Sequence, residues 1–385
     1  MAAPPVHAGG DSLDDVVETA DLLVTCGPGG VGKTTTAAAL GVAAARAGRR
    51  VVVVTVDPAR RLADALGLEP GVASDDPHRV TDIPGLEPAG TTTGDGGGEL
   101  WALMLDAAST FDRLVREQTT NAKQADAILE NPVYRAISGS LAGAQEYMAI
   151  ERLHQLHTSG EWDLVIVDTP PSRHAIDLLE APDRLIGFLS HPVFRTLTAG
   201  QRAFARVTNA AASMFLWAVR RLAGPQIVED TVEFFRSLAN IEPGLRQRAK
   251  EVSELLRSES ASFVVVSSPR AEAIGEAEHL VGALRDGGFP FGGVVVNLIH
   301  PMPDPIPVAD RAELEGLSGG PLLDHVQWHD ELTALAAAER EEIAALADLA
   351  EDVPVVELAL MPVDVHDVDG LAALAVTIAG GTDSA

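Results

Sequence analysis

A chain of 385 residues, 46% of them apolar, is long enough to bury a sizeable core as two or three average domains or as one large α/β domain with insertions. Its formal charge is −28, and its 28 basic residues include only three lysines, Lys33, Lys123 and Lys250; no run of them makes a basic patch, so neither nucleic acid nor anionic lipid is an expected partner. The single cysteine, Cys26, excludes an intramolecular disulfide and any CxxC zinc clasp within one subunit.

The N-terminal MAAPPVHAGGDSLDD lacks the basic and apolar regions of a signal peptide, and residues 1–18 are expected to be a disordered tail on a cytoplasmic domain. No uninterrupted apolar run approaches the roughly 20 residues that span a bilayer, so direct membrane insertion is not expected. The nearest, Ala210 to Val219, is closed by Arg220 and Arg221.

Asp21 to Leu40 reads DLLVTCGPGGVGKTTTAAAL. Leu22 to Thr25 has the composition of a strand buried on both faces, and Cys26 ends it as a small buried hydrophobe. Gly27 to Thr34 then fits G-x-x-x-x-G-K-[ST] and leads into an alanine-rich helix. Glycines at 27, 29, 30 and 32 let successive backbone N–H groups turn inward toward phosphate oxygens. The helix that begins near Lys33 adds its positive N-terminal end. Lys33 is placed to reach the β- and γ-phosphates, and the Thr34 hydroxyl to ligate Mg²⁺. Gly29, Gly30, Val31, Gly32, Lys33, Thr34 and Thr35 are the expected nucleotide contacts. Strand, loop and helix all fall where the motif needs them, which a chance glycine-rich turn would not produce.

Arg50 to Val56 is a second buried strand with Asp57 at its end. That carboxylate has two readings: it orients an attacking water or binds metal through water, or it caps a helix over Pro58 to Leu66. Residues 68–99 are loop-rich, most of all Pro84 to Gly98. Leu100 to Leu105 is a strand, and helical patterning runs from Ala107 to Leu156. Asp163 to Val167 is a buried strand ending in Asp168, which is either the position from which a P-loop NTPase accepts a hydrogen bond from a Mg²⁺-bound water or a generic strand-end carboxylate, the first being favoured by the phosphate loop upstream. His174 either senses the γ-phosphate or is an ordinary loop histidine.

Pro182 to Arg257 reads as wholly helical. Its stripe Phe204, Val207, Ala211, Phe215, Ala218 and Leu222 has helical spacing. Leu216, Trp217 and Val219 lie off that stripe, so the helix is either core packed on two sides or a surface for a partner or client. Phe263 to Val266, a helix from Arg270 to Arg285, and Gly293 to Leu298 continue the β–α–β pattern. Asn297 at that strand end either bonds an adenine edge or is a turn residue. Glu331 to Leu349 reads as helix, Pro354 to Leu358 as a last strand, and Met361 to Asp369 as a strand-end loop in which Pro362 is a further candidate nucleotide contact. Residues 381–385 are expected to be a second tail.

Taken together these segments resemble the ArsA-like anion-transporting ATPase family, which includes arsenite-pump ATPases and guided-entry ATPases for tail-anchored membrane proteins. GPGGVGKTT is similar to the family's GKGGVGKT, TVDPARRLADALG to its switch I, VDTPPSRHAIDLL to its switch II, and VVVNLI to its adenine-contacting strand end. AGAQEYMAIERL and VDTPPSRHAIDLLEAP look most like the paired ArsA-like ATPases of actinobacteria. The resemblance implies an α/β fold, a doubly wound, mostly parallel sheet of the deviant Walker A class, as one domain over residues 19–380. A helical subdomain, about 107–160 and 183–257, would be inserted in it.

The resemblance further implies a Mg²⁺-dependent ATPase working as a dimer across its nucleotides. Asp57 would orient the attacking water, Thr34, Asp57 and Asp168 would serve the metal, and Asn297 would hold adenine. Three departures stand out. Pro28 replaces the signature lysine that reaches across the dimer, the arsenite-binding cysteines are absent, and so is the CxxC of the eukaryotic targeting ATPases. A homodimer, or a heterodimer with a lysine-bearing paralogue, is therefore expected, with a possible protein client on the helical subdomain.

Overall fold

Five strands have no polar face. β1 (Leu22–Cys26), β5 (Leu164–Asp168) and β6 (Ala261–Ser267) are buried along their whole length, and β2 (Arg50–Thr55) and β7 (Phe291–Ile299) over most of theirs. Continuous apolar runs of this kind require cover on both sides, which parallel α/β sheets provide. The computed structural model describes residues 12–56, 61–66, 76–86, 97–119, 122–131, 144–191, 225–315, 321–350, 352–365 and 367–380. Among these residues the strands form one eight-stranded sheet, ordered β3-β4-β2-β5-β1-β6-β7-β8. Here β3 is His78–Arg79, β4 is Glu99–Met104 and β8 is Val355–Ala359. Every pairing is parallel except the two-residue β3 against β4.

One face is covered by the alanine-rich α2 (Lys33–Arg46), with α1 (Asp14–Thr19) and α12 (Val368–Ile378) outside it. Small side chains let α2 lie close: a Cβ on Gly41 would stand 2.7 Å from a Val53 methyl. α3 (Arg61–Ala65) flanks α2. The opposite face carries α6 (Ala144–Thr158), α7 (Ser172–Ser190), α9 (Ala271–Asp286), α11 (Pro321–Leu349) and the end of α8 (Pro225–Leu256). α10 (Val308–Glu315) packs on α11. A third core cluster belongs to helices alone: α4 (Ala107–Gln118), α5 (Ala122–Leu129) and parts of α6, α7 and α8 meet around Leu114, Ile128, Met148, Ile241 and Leu245.

Several expectations change. Part of the segment read as the N-terminal tail is ordered, because Leu13 and Val17 are buried and the Leu13 N–H donates to the Ile378 carbonyl. Val368 and Asp369, read as the end of a loop, instead open the helix α12, capped by the Asp367 side chain on the Gly370 N–H. α11 begins ten residues earlier than expected, with Pro321 as its first residue, a position that loses no hydrogen bond. The helix expected to begin at Pro182 begins earlier: α7 starts at Ser172 and ends at Ser190, where His191 is extended, and α8 runs from Pro225 to Leu256, with residues 192–224 outside the described residues. Asp57 and the 204–222 stripe, with Phe215, Leu216 and Trp217, lie outside the described residues.

Candidate nucleotide site

The sheet register builds one row of polar groups at the C-terminal edge of the central strands. Thr25 pairs with Asp168, and Asp168 pairs on its other side with Thr55. Asp168 is only 1% exposed, and its Oδ2 accepts from the Thr55 hydroxyl at 3.0 Å and from the Thr34 hydroxyl at 2.6 Å. Thr34 lies in the first turn of α2 while Asp168 closes β5, so the fold joins residues 134 apart into one contact. Thr25 instead donates to the Val167 carbonyl, and Thr169 returns a bond to the Thr25 carbonyl at 2.8 Å.

The loop between β1 and α2 needs its glycines for two physical reasons. Gly27, Gly30 and Gly32 have φ of 152°, 78° and 92°, a region that disfavours side chains. Space is also short: a Cβ on Gly27 would fall 1.9 Å from the Val266 carbonyl oxygen. Lys33, 8% exposed, donates from Nζ to the Pro28 carbonyl at 2.7 Å. The ammonium therefore lies across the mouth of the loop. Pro28 itself is buried. Gly29 and Gly30 are exposed, Val31 is buried, and Gly32, Thr34 and Thr35 are partly buried. A Cβ on Gly29 would lie 3.8 Å from Pro171, which sets the segment after Asp168 directly against the loop.

Asn297 sits in β7, not in a turn. Its Nδ2 donates to the Val31 carbonyl at 3.0 Å and its Oδ1 accepts from the Leu298 N–H at 2.9 Å. Pro362 follows β8, next to β7 in the sheet, and is exposed. The fold thus brings Lys33, Thr34, Asp168 and Asn297 around one loop. Asp57 lies outside the described residues, and His174 is described only by its backbone, in the first turn of α7. Thr55 was not anticipated as part of the site; its only sequence signal is a hydroxyl at the end of an otherwise apolar strand. Burial pushes the Cys26 thiol up to about 12, so it stays a neutral thiol.

The donor set suits magnesium. Mg²⁺ is held by one or two protein oxygens together with phosphates and water, and a hydroxyl beside a buried carboxylate at a helix N-terminus offers such a set. Among the described residues no group of three or more His, Cys, Asp or Glu could hold a metal. None of the described helices is long and apolar enough to cross a membrane.

A family model described as anion-transporting ATPase matches residues 20–307. The ATPase GET3B of Arabidopsis thaliana is 27% identical over 289 residues, covering 71% of this chain and 63% of its own length. ATPase ASNA1 homolog 1 of Paramecium tetraurelia is 24% identical over 374 residues, or 94% of this chain and 93% of the relative. ATPase ARSA2 of Chlamydomonas reinhardtii is 25% identical over 374 residues, covering 95% and 87%.

Proposed function

We infer that this ATPase, which belongs to the anion-transporting ATPase family, binds Mg·ATP in the loop between β1 and α2 and uses hydrolysis to open and close a dimer that handles a protein client. The observation that carries the reading is the Thr34–Asp168 contact at the N-terminus of α2, beside the Lys33 ammonium. Loop N–H groups and the helix N-terminus would receive the phosphates. Lys33 would exchange the Pro28 carbonyl for β- and γ-phosphate oxygens, and Thr34 would turn its hydroxyl oxygen from Asp168 to the metal. Asp168 would then hold a metal-bound water in place, and Asp57 would orient the attacking water. When bound, Mg²⁺ supplies neutralisation of the charge that builds on the phosphoryl oxygens. The apolar segment 204–222 is our candidate client surface, and the cytoplasm its setting.

The test is titration calorimetry with Mg·ATP. Lys33→Ala removes a charge-assisted contact and is expected to weaken binding by about 10- to 100-fold. Asp57→Asn is expected to spare binding and slow turnover. Binding by Lys33→Ala as tight as the parent's would remove the site assignment.

One feature favours a second reading, a subunit with little hydrolysis of its own. Pro28 has neither a charge nor an N–H to offer across a dimer interface. A contact of the missing kind typically contributes about 10²–10³ in rate. Turnover by the pure protein is then expected to be slow and to rise on mixing with a lysine-bearing paralogue. Fast turnover by the protein alone, undiminished in Arg60→Ala, Arg61→Ala and Arg173→Ala, would refute this reading.

A further inference from the structure

Between Val296 and Ile299 the pairing of β7 with β8 shifts register. Inside that irregularity Leu298 has φ 66°, a left-handed backbone that bulky L-residues avoid. Bulges of this kind bend a strand and re-aim a side chain. The side chain re-aimed here is Asn297, 8% exposed, and both ends of its amide are engaged. Oδ1 accepts from the N–H of the strained Leu298, and Nδ2 donates to the carbonyl of Val31, 266 residues away. The reverse orientation would set two oxygens face to face at Val31, so the contacts fix which way the amide points.

Val31 is the residue this strut can use best. It lies between Gly30 and Gly32, both at positive φ, where the chain has the least stiffness of its own. The loop is shaped to admit the strut, since a Cβ on Gly32 would stand 2.3 Å from Asn297 Nδ2. Beyond the bulge the strand is gripped again. Glu339 of α11, 7% exposed, accepts from the His300 backbone N–H at 2.8 Å through one oxygen and meets His300 Nδ1 at 2.7 Å with the other.

We infer that Asn297 is a positioning residue for the phosphate loop, a strut aimed by the β7 bulge and steadied from α11 by Glu339 through His300. The inference rests on the nucleotide site proposed above and adds a role distinct from contact with a base. A residue that contacts only the base is indifferent to a ligand without one. A residue that sets the Val31 carbonyl, and with it the neighbouring N–H groups, acts on any triphosphate.

Magnesium tripolyphosphate separates the two. Full-length parent, Asn297→Asp and Glu339→Gln are titrated calorimetrically with Mg·ATP and with magnesium tripolyphosphate, the latter by competition if it binds weakly. Asn297→Asp keeps the acceptor for Leu298 and turns an oxygen toward Val31. It is expected to weaken both ligands by the same factor, about tenfold. Glu339→Gln is expected to weaken both equally, by about threefold, with faster amide exchange over residues 27–34. A loss confined to ATP, or no loss with either ligand, overturns the strut while leaving the nucleotide site standing. A parent that binds neither ligand overturns both. If Asn297→Asp does not fold, Glu339→Gln decides with the same two ligands.

Discussion

Asp168 at the end of β5 and Glu151 in the middle of α6 are both closed to solvent, at 1% and 0% exposure, yet their surroundings differ in kind. Two threonine hydroxyls donate to Asp168, and one of them belongs to the first turn of the phosphate-loop helix. A hydroxyl turns about one bond and is donor or acceptor as needed. Such a carboxylate can be re-addressed when a ligand arrives. Glu151 lies in the helical layer and is met by Arg248 Nε of α8 at 2.8 Å, by Gln155 at 3.2 Å and by the Tyr147 hydroxyl at 3.3 Å. Arg248 also reaches Glu117 of α4 at 3.4 Å, so one guanidinium ties three helices together. Burial pushes the Glu151 carboxyl above the usual carboxylate range despite the pull of Arg248, and pushes the Tyr147 hydroxyl up as well. A buried charge with a fixed partner holds a structure in register, whereas one with rotatable partners is available for chemistry.

The comparison breaks most visibly at Glu151. Glu151→Ala removes three bonds, opens a small cavity and leaves Arg248 partly buried without its nearest partner. We expect a loss of about 2–3 kcal/mol in unfolding free energy, read from urea denaturation, with Mg·ATP affinity of the folded molecule unchanged. Equal damage to binding and to stability would mean that the helical layer and the loop are not the separate units argued here.

Asp168→Asn should do the reverse. The amide keeps the volume, and both threonine hydroxyls can turn to suit it, so stability is expected to change by about 1 kcal/mol or less. The tightening of ATP binding by Mg²⁺, compared with binding in chelator, should fall about tenfold. If Mg²⁺ tightens ATP binding to the variant as much as to the parent, Asp168 is a structural residue like Glu151.

How much of this was legible in the sequence depended on whether the cause was local. The buried strands could be read because a parallel strand covered on both faces is a continuous apolar run, as in Leu22–Cys26 and Leu164–Asp168. The glycine loop between β1 and α2 could be read because its glycine spacing is forced by backbone sterics. Helix α1 could not: six residues are too few for an apolar period to show, and they are held by Leu13 reaching the far end of the chain at Ile378. Nor could Asn297 on Val31 or Thr55 on Asp168 be read, because strand register and a bulge decide them. Motif spacing points to candidate ligand contacts, but the residues that hold those in place come from the tertiary pairing.

The smallest expected effect is on the pH dependence of stability, and its sign follows from linkage. A carboxyl whose pKa is higher in the folded than in the unfolded protein binds more protons when folded. Stability therefore falls as pH rises between the two values. Burial raises the Glu151 carboxyl in this way. Its contribution should be fully present below the unfolded value, near about 4.3, and should diminish as pH climbs through the folded one. Glu151→Gln has no proton to release and keeps an acceptor for Arg248 or Tyr147. Urea midpoints of parent and Glu151→Gln, compared across this range, should show the parent losing stability relative to the variant as pH rises. The difference between the two curves isolates Glu151 from other titrating groups, including His154, whose ring burial and Arg248 hold below the usual imidazole range. A difference that grows in the parent's favour with rising pH would show that Arg248 outweighs burial. Glu151 would then be a charge stabilised by its partner, and the contrast with Asp168 would rest on geometry alone.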